Sequence, residues 1–67
     1  MNKLELGEII KARRKKLNLD QPTLATLAGI GLNTLVAIER GNGNPTIETI
    51  LSVLDTMGLT VDIKFKD

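Results

Sequence analysis

A chain of 67 residues makes one small domain, and 42% hydrophobic with 25% charged residues is the balance of a globular protein. The absence of Cys and His removes disulfides, thiolate metal sites, thiol nucleophiles and the commonest general base, while one Phe with no Trp or Tyr leaves no aromatic platform for stacking bases. The net charge of +1 hides a division: residues 1–40 carry a balance of +3 and residues 41–67 a balance of −2, with most of the positive charge inside Lys11–Lys16. Such a run reads first as a solvated helix face and second as a nucleic-acid footprint. No apolar stretch approaches the ~18 residues of a membrane span. The segment MNKLELGEII lacks the basic-then-apolar order of a signal peptide. The expectation is a cytoplasmic protein with no metal, no cofactor and no membrane partner. A core this small is marginal without disulfide or metal, so self-association is expected as well.

In chain order, residues 4–17 read as a helix, with Leu6, Ile10 and Leu17 at spacings of four and seven and Ile9 and Ala12 alongside. Asn18 is placed to stop it in a left-handed conformation. Asp20 is the cap of a second helix, because its carboxylate can accept backbone N–H bonds at the positive end of the helix dipole. Pro22 is tolerated only in a first turn, so this helix starts at residue 21 or 22; it runs through Leu24, Leu27 and Ala28 and ends at Gly29. A third helix spans Leu32 to Arg40, with Leu35 and Ile38 as its buried pair and Gly41 as its end. GNGNP (41–45) is a turn by composition. Thr46 caps a fourth helix, 47–57, whose apolar stripe is Ile47, Ile50, Leu51, Leu54 and Met57, and Gly58 ends it. The period then changes. Leu59, Val61, Ile63 and Phe65 alternate with Thr60, Asp62, Lys64 and Lys66, the pattern of a half-buried strand.

Residues 21–40 act as a unit. Two helices joined by a short turn cross steeply, and the crossing tolerates only a small side chain, here Ala25. The turn needs positive φ, which Gly29 adopts without Cβ strain. Leu24, Ala25 and Ala28 face inward, and Ile30, Leu35 and Ile38 seal the pair. A plain helical hairpin would meet the same demands.

Four further residues narrow the choice: Arg14 seven positions before Gln21, and Glu39, Gly41 and Pro45 in IERGNGNP (38–45). With them the chain resembles the helix-turn-helix of the lambda-repressor-like (Cro and phage-repressor, or XRE) DNA-binding domains, over roughly Leu6 to Leu59. The fold expected is mainly α: a bundle of four to five short helices over residues 1–58, followed by one β-strand, 59–67, paired across a dimer.

The resemblance implies a DNA reader that sets its third helix, N-terminal end leading, in the major groove. Opposite Leu35 and Ile38 lie Leu32, Asn33, Val36, Ala37 and Arg40. Asn33 can bond a base edge, adenine best, and Leu32, Val36 and Ala37 offer apolar contact to a thymine methyl. Burial of Leu32 and Val36 against another protein surface is the alternative. The resemblance implies phosphate contacts from Gln21, Arg40, Asn42 and Asn44, with Asp20 and Pro22 departing from the family pattern beside Gln21. Gly31 stands where the family carries a hydroxyl cap. Arg14 and Glu39 are expected to form an internal salt bridge, the alternative being two unrelated surface charges. Lys11, Arg13, Lys15 and Lys16 are left for nonspecific phosphate attraction.

A lone strand cannot satisfy its own backbone, so Leu59, Val61, Ile63 and Phe65 are expected to pair with the same strand of a second chain, the alternatives being a frayed tail or a strand packed flat on its own domain. A homodimer would read an inverted-repeat operator in double-stranded DNA. Four helices followed by such a strand are similar in architecture to HipB-type antitoxins, which implies a toxin kinase as a further partner; a stand-alone phage or mobile-element repressor is equally compatible. An interaction module without DNA binding is a third reading. Catalysis finds no support, since no nucleophile–base spacing or phosphate-cradling loop is present.

Overall fold

The computed structural model describes residues 1–66; Asp67, the end of the expected strand, lies outside the described residues. The described chain forms α1 (Lys3–Lys16), α2 (Gln21–Ala28), α3 (Leu32–Glu39) and α4 (Ile47–Thr56). Side chains start three of them: Asn2 accepts the Glu5 N–H at 2.9 Å, Asp20 that of Thr23 at 2.8 Å and Thr46 that of Thr49 at 3.1 Å. Thr23, through its side chain first and its backbone N–H second, holds the Asp20 carboxyl below the usual carboxylate range. Helix α3 starts at Gly31 with no side-chain cap.

All four helices stop in the same way. Asn18, Gly29, Gly41 and Gly58 take φ of 57°, 71°, 74° and 71°. The N–H of each following residue then reaches back to a carbonyl five positions earlier: Leu19 to Arg14, Ile30 to Ala25, Asn42 to Ala37 and Leu59 to Leu54, at 2.9–3.1 Å. That bond satisfies a carbonyl the helix end would otherwise leave unpaired, and it turns the following side chain back over the last turn. Leu19, Ile30 and Leu59 use this return to pack on the core. Asn42, after α3, is polar and exposed.

The core is built on Ile10, Leu24, Leu35, Val53 and Met57, with Ala25, Ala28, Ile38, Ile50 and Leu54 around them. Helix α3 packs on α1 and α2, and α4 packs on α2. Ser52 Oγ donates to the Ala28 carbonyl at 2.7 Å, pairing another α2 end group. At the α1–α3 contact, Gly7 is buried. A Cβ there would overlap the Ile38 carbonyl oxygen and lie 2.8 Å from that of Glu39, so the two backbones meet where no side chain fits.

Three expectations are corrected. The inner face of α1 is Gly7, Ile10 and Arg14, with Leu6 half-buried, whereas Ile9, Ala12 and Leu17 are exposed. Helix α4 turns Val53 inward and leaves Ile47 and Leu51 exposed. The C-terminal strand is not formed: among the described residues there is no strand, and 60–66 have no regular structure. The reason is geometric. Leu59 is committed to closing α4, and a strand needs a neighbouring backbone that one copy of this chain does not offer. Val61 is half exposed, and Ile63 and Phe65 are 91% and 96% exposed.

Candidate nucleic-acid interface

Helices α2 and α3 turn through 112° about Gly29. Ala25, 3% exposed, sits at their junction, where its methyl group leaves room for the crossing. Leu35, Ile38 and Glu39 bury one side of α3. At roughly 100° per residue, the opposite side carries Asn33, Ala37 and Arg40. Asn33 and Arg40 are exposed and Ala37 is half-buried. Leu32, at the start of the helix, is 43% exposed. Val36 is half-buried on the flank, so it offers less surface than its expected base contact assumes.

A groove of about 340 Å³ runs between α3 and the 42–45 loop. Asn33, Thr34 and Ala37 line one side, and Asn42, Gly43, Asn44 and Pro45 the other. Three of the expected site residues, Asn33, Asn42 and Asn44, therefore share one cleft, each with an amide able to donate and accept. Thr34 is exposed here and was not expected from the sequence; its position directly after Asn33 and three before Ala37 was the available signal. The loop is held from both ends. Gly41 closes α3, with Leu4 Cα 2.8 Å from where a Gly41 Cβ would stand. Lys3 Nζ, on α1, donates to the Gly43 carbonyl and to Asn44 Oδ1 at 2.8 Å.

Behind α3, Arg14 and Glu39 make a bidentate pair, Nε to Oε2 at 2.7 Å and Nη2 to Oε1 at 3.0 Å. The third guanidinium nitrogen donates to the Leu19 carbonyl at 2.8 Å. Both residues are buried, at 8% and 6% exposure, and no buried side-chain nitrogen or oxygen among the described residues lacks a partner. The hydrogen bond to Glu39 is the largest influence raising the Arg14 pKa above its ordinary value, so the guanidinium stays charged.

Two other expected contacts are placed differently. Gln21 is half-buried, and its Nε2 donates to Glu39 Oε1 at 3.1 Å. The first turn of α2 brings the amide against a carboxylate oxygen with a free lone pair, which occupies one of its protons inside the protein. Arg13 donates from Nε to the Met57 carbonyl at 3.1 Å and so helps close the C-terminal end of α4, which fixes one of its five N–H donors inside the protein. Lys11, Lys15, Lys16 and Arg40 remain exposed. No group of three or more His, Cys, Asp or Glu able to hold a metal occurs among the described residues. No single described helix is long and apolar enough to cross a membrane.

A helix-turn-helix family model matches residues 10–64, which takes in all of α2, α3 and α4. This chain belongs to the helix-turn-helix family. It is 39% identical to an uncharacterised HTH-type transcriptional regulator, y4mF, of Sinorhizobium fredii, over 88% of this chain and 78% of that protein. It is 36% identical to the immunity repressor protein of Bacillus phage phi105, over 87% of this chain and 40% of that one. It is also 29% identical to the cryptic phage CTXphi transcriptional repressor RstR of Vibrio cholerae, over 88% of this chain and 53% of the repressor. The helix-turn-helix chain thus spans about half or less of these two phage repressors. Its membership implies a regulator of transcription.

Proposed function

We propose that this protein is a sequence-specific repressor that binds operator DNA as a homodimer, with α3 in the major groove of each half-site. The groove between α3 and the 42–45 loop carries this reading, because it gathers Asn33, Asn42 and Asn44 beside one exposed helix face. Asn33 reads a base edge, and Leu32 and Ala37 meet thymine methyls with Val36 at the margin. Arg40, Asn42 and Asn44 hold phosphates on either side. Gln21 contributes its remaining amide proton to the same backbone. The polar residue at the Asn42 position supports the assignment. The other three helix ends return an apolar side chain to the core there, and only this end keeps an amide in solvent.

The second chain meets the first through Val61, Ile63 and Phe65, which are exposed and have the alternation of a strand. Leu59 stays with its own core. The names of the two phage relatives favour a stand-alone repressor over the antitoxin of a toxin kinase.

The test is Asn33→Ala against a duplex that the wild-type protein selects from a random-sequence pool. Affinity should fall by about 1–3 kcal/mol, with preference relaxed at one base pair per half-site. Unchanged affinity and unchanged preference would remove α3 from the groove.

A further inference from the structure

We propose that Lys3 is a positioning residue for DNA contact: it latches the 42–45 loop and turns the Asn44 amide so that its N–H₂ faces outward as a phosphate donor. The proposal rests on the DNA-binding reading above and extends it to a residue on a helix outside the helix-turn-helix. A lysine ammonium has three donors and no acceptor. Lys3 spends two of them on the loop, one on the Gly43 carbonyl and one on Asn44 Oδ1 at 2.8 Å. Both acceptors belong to the loop that faces the groove.

The chemistry of the carboxamide does the rest. Oδ1 and Nδ2 branch from one carbon in a plane, so fixing the oxygen on Lys3 directs the nitrogen away from it. The reversed amide would set donor against donor and is excluded by the lysine itself. Two oxygens that would repel a phosphate are thereby engaged by a cation, and the group left over is a donor. The latch spans 40 residues of sequence and joins the first turn of α1 to the loop after α3. Without it, the loop is anchored at its two ends, by the Gly41 and Asn42 N–H bonds to Ile38 and Ala37 and by the Thr46 cap of α4. None of those bonds reaches the Asn44 side chain.

Lys3 is exposed, so Lys3→Met should fold, which a thermal melt verifies. The decisive measurement is a double-mutant cycle with Asn44→Ala on the duplex that wild type selects. Lys3→Met should weaken binding about fivefold in the wild-type background and less than about twofold when Asn44 is already alanine. Equal losses in both backgrounds would make Lys3 an independent charge and overturn the proposal, as would no loss in either. A second readout needs no DNA. In the free protein, ¹⁵N relaxation of the Asn44 side-chain amide should report an ordered group that becomes mobile in Lys3→Met. Equal mobility in the two proteins overturns the latch. If wild type selects no duplex while the amide is ordered by Lys3, the DNA reading fails and the latch itself stands.

Discussion

One carboxylate joins three helices: Glu39 on α3 accepts from Arg14 on α1 through both oxygens and from Gln21 on α2 through Oε1. A buried ion pair adds little over a well-packed apolar pair, but removing one partner leaves a charge in a medium that cannot solvate it. Glu39→Gln keeps the shape and one acceptor, and strands the Arg14 charge. Its unfolding free energy in urea should drop by about 3 kcal/mol, a large share of the stability of a domain this size. A drop under about 1 kcal/mol would show the pair behaving as if exposed. At this scale the Arg14–Glu39 pair was legible through the family resemblance, which implies an internal salt bridge at these two positions, and the two side chains do pair. The resemblance puts Gln21 on phosphate, and nothing local says that Glu39 keeps a lone pair for one of its amide protons.

Among the elements, every helix end was legible, since a residue suited to positive φ stands at each: Asn18, Gly29, Gly41 and Gly58. Helix faces were less so. In α1 the buried line Gly7, Ile10 and Arg14 contains one hydrophobic side chain, so a hydrophobic period drifts instead to Ile9 and Leu17. Gly7 is the clearest case. By propensity alone Gly7→Ala should stabilise α1 by about 1 kcal/mol. The new Cβ meets the backbone carbonyls of Ile38 and Glu39, which can move only if α3 moves. The expected result is a net loss of about 1–3 kcal/mol in chemical denaturation. Any gain in stability would mean that the two helices can separate without cost. The meaning of this glycine comes from a helix more than thirty residues away in sequence, beyond the reach of a local pattern.

For the molecule as a whole, the alternation in 59–66 predicts a strand, yet residues 60–66 are irregular, because one chain offers them no ladder. Deleting residues 60–67 should leave the domain folded, because Leu59 and the α4 closure remain. It should shift sedimentation to monomer and weaken operator binding far more than nonspecific binding, since phosphate attraction survives while paired readout is lost. A full-length chain that sediments as monomer at tens of micromolar, or a truncated one that stays dimeric, would dissociate the tail from assembly. If the exposed tail pairs as proposed, it would also tie the protein's lifetime to its abundance. Lys64 stands in open, irregular backbone in a single copy, the form a trypsin-like protease requires, and pairing of the tail would withdraw that form. Cleavage at Lys64 should therefore slow per molecule as protein concentration rises through the dimerisation range, and a constant rate would argue against shelter by a second copy. Scarce repressor would be trimmed and abundant repressor spared, so that degradation sharpens the line between an occupied operator and an empty one.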